Sequence, residues 1–315
     1  MNLDNANQIS SFWGIQIKEG KILSERATLL IASDQQRFIL KKKGSTQEVE
    51  REIKLLKQLK DNKFNTQYPI ATSSGEVFAS YQEKNYCLYP FLEGKPFDIK
   101  EALDNSEIPR LLGETIALMN KLMSSFSGFE DFPDKNLYKM VYGYAVKEIG
   151  NGDECENLMK LFRELEVGLK GHVGELPRQL IHRDAHLHNM LFINNKLSGV
   201  IDFEIAEVNV RIFDLCYCCT SILSEVFHDE VLREKWLPFV GEIVAAYNRH
   251  SPLSISECKS VWYVMLSIQT IFMAYLIKDP SLYGLNKSMF KWIYDNKDRI
   301  EENVPKIHQQ GVFNR

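Results

Sequence analysis

At 315 residues, 44% of them hydrophobic and 25% charged, the chain has the composition of a globular protein with room for a substantial core, which excludes a disordered polypeptide. A net charge of −4 and a pI near 6.0 exclude a general electrostatic pull toward nucleic acid or an anionic membrane surface. The opening MNLDNANQISSFW has neither a basic nor an apolar segment of the secretory kind, and Cys87, Cys155, Cys216, Cys218, Cys219 and Cys258 lack zinc-finger spacing, so free buried thiols and a cytoplasmic location are expected.

The first 90 residues read as short strands with one helix. GKILSERATLLIASDQQRFILKKK gives apolar strands around Ile22, 29–31 and 38–40, turned near 24–26 and 33–35. In STQEVEREIKLLKQLK, Ser45 and Glu48 have capping-box spacing, and Val49, Ile53, Leu56 and Leu59 mark one helical face. The strands EVFAS and YCLYPF follow. From Pro109 onward the pattern is mainly helical, beginning with PRLLGETIALMNKLMSSF. The apolar run at 261–277 approaches membrane length, but Ser267, Gln269 and Thr270 near its middle predict a buried core helix. The expected architecture is α+β in two lobes: a small antiparallel β-sheet lobe with one helix over 1–92, and a larger, mainly helical lobe over 93–315. Such lobes usually bind a ligand at their junction.

Polar chemistry concentrates in LIHRDAHLHNMLFINNKLSGVIDFEIAEVNVRIFD, residues 180–214. Here MLFI, NNK and LSGVI predict a strand–turn–strand hairpin, which brings its two ends together. Asn189 at one end and Asp202 at the other then face a common point. An amide carbonyl with a carboxylate is the hard oxygen ligation that Mg²⁺ accepts, with phosphates completing the shell. Asp184 falls where a group that orients a hydroxyl and accepts its proton would stand. Two blander patterns compete. Asp202 and Glu204 also fit strand-end charges facing water. His182, Asp184, His186 and His188 alternate as in a metallohydrolase cluster, although His228, His250 and His308 are too scattered to complete one.

HRDAHLHN, followed by IDFE and then by Asp214 and Leu215, resembles the protein-kinase-like phosphotransferases. More narrowly it resembles the aminoglycoside phosphotransferase, homoserine kinase and choline kinase superfamily, with its His-x-Asp-x-x-x-x-Asn loop, Ile-Asp-Phe hairpin end and Asp-Leu pair. The resemblance implies a two-lobed kinase-like fold and transfer of the γ-phosphate of ATP, with Mg²⁺, to a small-molecule hydroxyl on an amino alcohol, sugar or aminoglycoside. It implies Asp184 as catalytic base, His182 bracing the loop, Asn189 and Asp202 as Mg²⁺ ligands, and Asp214 holding the loop by hydrogen bonds. Glu204 is left open among metal, substrate and scaffold. In the small lobe, Lys41 takes the place of the phosphate lysine and Glu52 that of its helix partner, with Glu48 as fallback; Lys42 and Lys43 read as solvated charges. Pro90 and Leu92 match the hinge that reads adenine through backbone groups.

The turn LSERAT replaces the glycine-rich phosphate loop, so Ser24 and Arg26 are expected to approach phosphate by backbone N–H or guanidinium. That replacement, and the short interval from Asp202 to Asp214, set the chain apart from protein kinases. Trp236, Trp262, Tyr263, Trp292 and Tyr294 contain enough rings for a choline box, but helical core packing accounts for them more simply. No nucleic-acid or membrane partner is expected, and a homodimer is left open. A catalytically silent kinase-like binding protein and a His/Asp metallohydrolase remain as alternatives.

Overall fold

The computed structural model describes residues 3–152 and 156–306, so Cys155 and His308 lie outside the described residues. The chain forms two compact units. The first runs to Lys95 and also takes Phe126–Asp131 and Leu191–Glu204; the second takes Pro96–Ser125, Phe132–Met190 and the chain from Ile205 onward.

The first unit opens with a short helix, α1 (Leu3–Ser10), and a 3₁₀ turn, Ser11–Trp13. This adds a helix where only one was expected, because eight residues with few apolar positions carry too short a period to read. It nevertheless contributes to the core: Ala6, Ile9 and Trp13 are buried with Leu30, Phe38, Leu40 and Leu88 of the sheet. Strands β1 (Ile17–Ile22), β2 (Ala27–Ala32), β3 (Arg37–Lys43), β4 (Ala79–Tyr81) and β5 (Lys84–Pro90) form one antiparallel sheet in the order β1-β2-β3-β5-β4. Between β3 and β4 lies α2 (Thr46–Asp61), started by the expected reciprocal cap: Glu48 N–H donates to Ser45 Oγ, and Ser45 N–H to the Glu48 carboxylate. Its Val49, Ile53, Leu56 and Leu59 are buried.

The second unit is mainly helical. In chain order it holds α3 (Ile99–Asp104), α4 (Glu107–Met123), a π-helical segment Lys139–Ala145, α5 (Val146–Gly152) and α6 (Glu156–Gly174). Strand β6 (Arg178–Ile181) follows; the hairpin pair β7 (Met190–Ile193) and β8 (Lys196–Val200) belongs, apart from Met190, to the first unit, and β9 (Glu207–Val210) returns to the second. Helices α7 (Phe213–Val226), α8 (Glu230–His250), α9 (Ile255–Tyr275), α10 (Pro280–Asp295) and α11 (Lys297–Asn303) complete it. Asn194 and Asn195 both take positive φ at the hairpin turn, the two-residue geometry that asparagine tolerates. Strand β6 pairs antiparallel with β9, placing Ile181 opposite Glu207.

Helices α4 and α8 approach closely at Gly113, where a Cβ would stand 2.4 Å from Ile243 O. The apolar run lies in α9 as a buried helix. Its Ser267 and Thr270 hydroxyls donate to Tyr263 O and Leu266 O, so these polar groups are satisfied within the helix. No helix among the described residues is long and apolar enough to cross a membrane. Trp236 and Trp262 are buried and donate their indole N–H groups to Cys219 O and Ile293 O, which gives both a packing role. Cys87, Cys216, Cys218 and Cys219 are free and buried, and Cys258 is half-buried.

Candidate active site

In the second unit, the loop from β6 to β7 is organised around two carboxylates. Asp214, at the start of α7 and fully buried, accepts His182 N–H at 2.9 Å on one oxygen and Arg183 N–H at 2.8 Å on the other. It thus satisfies two amides that the turn, with Arg183 at a left-handed φ of 74°, leaves without chain partners. Burial pushes Asp214 up to about 7, against the pull of those two amides and of Arg183. His182 is buried, and its Nδ1 accepts Asp184 N–H at 3.2 Å.

The second carboxylate, Asp184, is held on both oxygens. Tyr217 O–H donates to Oδ1 at 3.0 Å, and Asn189 Nδ2 donates to Oδ2 at 3.0 Å and to the Asp184 carbonyl at 2.9 Å. His186 Nε2 stands 3.6 Å from Oδ2. Burial pulls the Asp184 carboxyl up, but His186, His182 and the Tyr217 hydroxyl outweigh it and hold the group down at about 2. The result is a carboxylate that stays ionised near neutral pH in a fixed orientation. Because Asn189 gives its N–H groups to Asp184, its Oδ1, without a partner among the described residues, is the oxygen left for a cation.

The histidines do not converge on a metal. His182 supports the loop from within, His186 Nδ1 accepts His188 N–H, and His188 Nε2 lies 2.8 Å from Glu225 Oε1. Among the described residues no group of three or more His, Cys, Asp or Glu side chains is arranged to hold a metal ion.

In the first unit, β3 runs on to Lys43, so Lys41 and Lys43 share one face of the strand. Lys43 is not the solvated charge expected. It is buried and donates to both oxygens of Glu52, at 2.8 and 2.7 Å. Burial by itself would weaken the Lys43 ammonium's hold on its proton, and Glu52 more than restores it, leaving the pKa raised. The helix glutamate expected for Lys41 is therefore engaged by its neighbour two residues on. Lys41 instead lies 3.1 Å from Asp202 Oδ1, with side-chain exposures of 12% and 40% for the two residues. Asp202 takes a φ of 72°, a conformation that aspartate tolerates better than most residues. Glu204 accepts from Arg26 at 2.7 Å, so the Arg26 guanidinium expected near phosphate is tied to a carboxylate. Glu48 serves the cap of α2.

Ser24 is spent on its own turn: its N–H donates to Ala27 O, and its hydroxyl accepts from Arg26 N–H and Ala27 N–H. Pro90 ends β5, and its carbonyl accepts from Gln67 Nε2 at 3.1 Å. Leu92 lies just beyond and packs at Gly199, where an added Cβ would meet its Cδ2 at 2.6 Å.

The sequence does not reveal the roles of three residues near these groups. Lys43 reads as a solvated charge because it follows the apolar part of the strand, and only the structure carries β3 on to it. Tyr217 sits one turn into α7, within a cysteine-rich run that suggested only packing, yet it reaches Asp184 and stacks on Phe272 at 5.7 Å with 1° between the ring planes. Glu207 accepts from Arg183 Nε at 3.0 Å, and Arg183 also lies over the Phe213 ring. No local spacing marks either contact.

Comparison with known proteins bears on the whole chain. The model of the phosphotransferase enzyme family of the aminoglycoside phosphotransferases matches residues 18–248. A homoserine kinase from Zymomonas mobilis subsp. mobilis is 26% identical over 226 residues, covering 66% of this chain and 68% of that protein. Among solved structures, a microcompartment-associated aminopropanol kinase superposes with a TM-score of 0.74 at 14% identity, covering 96% of this chain and 100% of the other. An amicoumacin kinase in complex with AMP-PNP and Ca²⁺ gives 0.70 at 12% identity, covering 96% and 93%. At such identities the structural likeness speaks for the protein-kinase-like fold, while the family match spans well over half of the sequence. The chain belongs to the phosphotransferase enzyme family and is a small-molecule kinase with an alcohol group as acceptor.

Proposed function

We propose that the protein transfers the γ-phosphate of ATP to the hydroxyl of a small molecule, with amino alcohols foremost among the acceptors. The observation that carries this is the support of Asp184. An ionised carboxylate held on both oxygens by a phenol and an amide is oriented before substrate arrives, as an acceptor for a hydroxyl proton must be. Asp184 directs the hydroxyl for in-line attack and takes its proton as the bond to phosphorus forms. Asn189 keeps Asp184 in place through Nδ2 and offers Oδ1 to Mg²⁺. Asp202 adds a half-exposed carboxylate, with Glu204 as a further oxygen donor. Mg²⁺, when bound, screens the charge of the phosphates.

Lys41 anchors the nonreacting phosphates, exchanging its contact with Asp202 for them. Glu52 acts through Lys43, fixing the β3 end from which Lys41 projects. The backbone at Pro90 and Leu92 reads the adenine, and Ser24 shapes the turn that stands in for a glycine-rich loop. His182 holds the Asp184 amide. The free buried thiols suit a reducing cytoplasm. The names of the curated relatives, homoserine kinases, support the amino-alcohol class.

The test is Asp184→Asn. Phosphoryl transfer, followed as ADP release with a panel of amino alcohols, sugars and aminoglycosides, should fall by about 10²–10⁴-fold while nucleotide binding persists. Turnover by the variant at the wild-type rate would remove Asp184 from the chemistry. Transfer by the wild-type protein to any acceptor separates a working kinase from a silent binding protein.

A further inference from the structure

The second unit contains a cavity of about 610 Å³, within the range of small-molecule sites. Two of its walls carry residues joined, through one or two neighbours, to the support of Asp184. On one wall stands Glu207, whose carboxylate accepts from Arg183, the residue immediately before Asp184. On the other stands Tyr275 of α9. One turn back on the same helix, Phe272 stacks on Tyr217, whose hydroxyl donates to Asp184. The remaining wall comes from the π-helical segment. Its wider i→i+5 winding brings Lys139 and Tyr144, five residues apart, to the same cavity, and Tyr144 lies 5.9 Å from the Tyr275 ring.

The charges around this cavity are not equivalent. Arg178 is taken by Asp134 and by the carbonyl of Lys135. Glu207 is taken by Arg183 and by Asn209. Both carboxylates on the wall are thereby occupied, and a polycationic acceptor finds no unpaired anion there. Lys135 and Lys139 also line the cavity and form no close ion pair among the described residues, although the Lys135 charge acts on Glu207 from a distance. What the cavity has to offer is two ammonium groups beside a tyrosine wall.

We propose that this cavity is the acceptor subsite and that the acceptor carries an oxyanion, a carboxylate or a phosphate, gripped by Lys135 and Lys139 while its hydroxyl reaches Asp184. The proposal rests on the phosphotransferase function above and narrows its acceptors, disfavouring aminoglycosides and other polyamines. It makes Lys135 and Lys139 specificity residues that act on acceptor binding and not on the nucleotide.

The experiment compares two acceptor pairs that differ only in the anion: homoserine with 3-aminopropan-1-ol, and glycerol 3-phosphate with glycerol. The full-length protein and its Lys135→Met, Lys139→Met and doubly substituted variants are assayed for ADP release. The wild type should prefer the anionic member of one pair, and which pair responds identifies the anion as carboxylate or phosphate. Each substitution should raise the KM for that acceptor about tenfold, the loss of one charge-assisted hydrogen bond, and leave kcat and the nucleotide KM close to wild type. Equal use of the neutral members, or an unchanged acceptor KM in the double variant, overturns the proposal. Calorimetric titration of homoserine and glycerol 3-phosphate reads the lysines without turnover. Binding that the double variant loses supports them, and absence of binding to the wild type overturns them. Binding without transfer to any acceptor would count against phosphotransfer alone and leave the anion site standing.

Discussion

The Asp184 loop of the second unit and the lysine-rich end of β3 in the first each present a charged group, but they support it by opposite means. Around Asp184 the close hydrogen bonds come from a phenol and an amide, with His186 standing off at 3.6 Å, so the carboxylate is oriented and kept ionised without a close ion pair. The loop's other carboxylate, Asp214, is buried and used up on two backbone amides. At the end of β3, support comes from an opposed charge: Lys43 and Glu52 cancel one another in the interior, and Lys41 on the same strand face is left with a half-exposed partner. Neutral donors preserve a charge for chemistry. A buried counter-charge consumes it and makes the fold depend on it.

That contrast sets the order of expected effects. Lys43→Met leaves Glu52 buried without a counter-charge and should cost about 3–5 kcal/mol in urea unfolding, whereas the double variant Lys43→Met/Glu52→Leu should recover most of the loss. A double variant as unstable as the single one would break the comparison, because the pair would then be more than a cancelled charge. Tyr217→Phe keeps the stack on Phe272 and removes one hydrogen bond to an ionised carboxylate. It should cost at most about 1.5–3 kcal/mol, read chiefly as a lower kcat with the nucleotide KM unchanged. If stability falls but kcat does not, Tyr217 is part of the scaffold alone. Lys41→Met should be the mildest in stability, within about 1 kcal/mol as for accessible ion pairs, and should act on the nucleotide KM instead. If Lys41→Met spares nucleotide binding, Lys41 is not the phosphate lysine, and the contrast between the two lysines loses its functional half.

Much of this was legible along the chain because it depends on local spacing. The cap of α2, the apolar face behind it, the Asn194 and Asn195 turn and the buried character of α9 all follow from residues within one or two turns of each other. The sequence pattern also singled out Asp184, Asn189, His182 and Asp214, which the structure gathers into one hydrogen-bonded loop. The lysines were harder. Strand alternation puts Lys41 and Lys43 on the same face, and only packing decides which of them sinks beside Glu52.

By itself, then, the sequence determined the two-part α+β plan and the order of the acidic and amide groups, since helical and strand periodicity and a hairpin's closure are short-range properties. Only the tertiary structure decided which charges are spent and which stay open. Tyr217 reaches Asp184 across 33 positions of the chain and Arg211 reaches Glu257 across 46. Burial, which sets the cost of leaving a charge unpaired, is created by the packing of elements far apart in sequence. That is why the histidines of one short run proved to be support, holding Asp184 ionised from nearby, while the phenol that fixes its orientation came from a helix whose sequence suggested nothing but core.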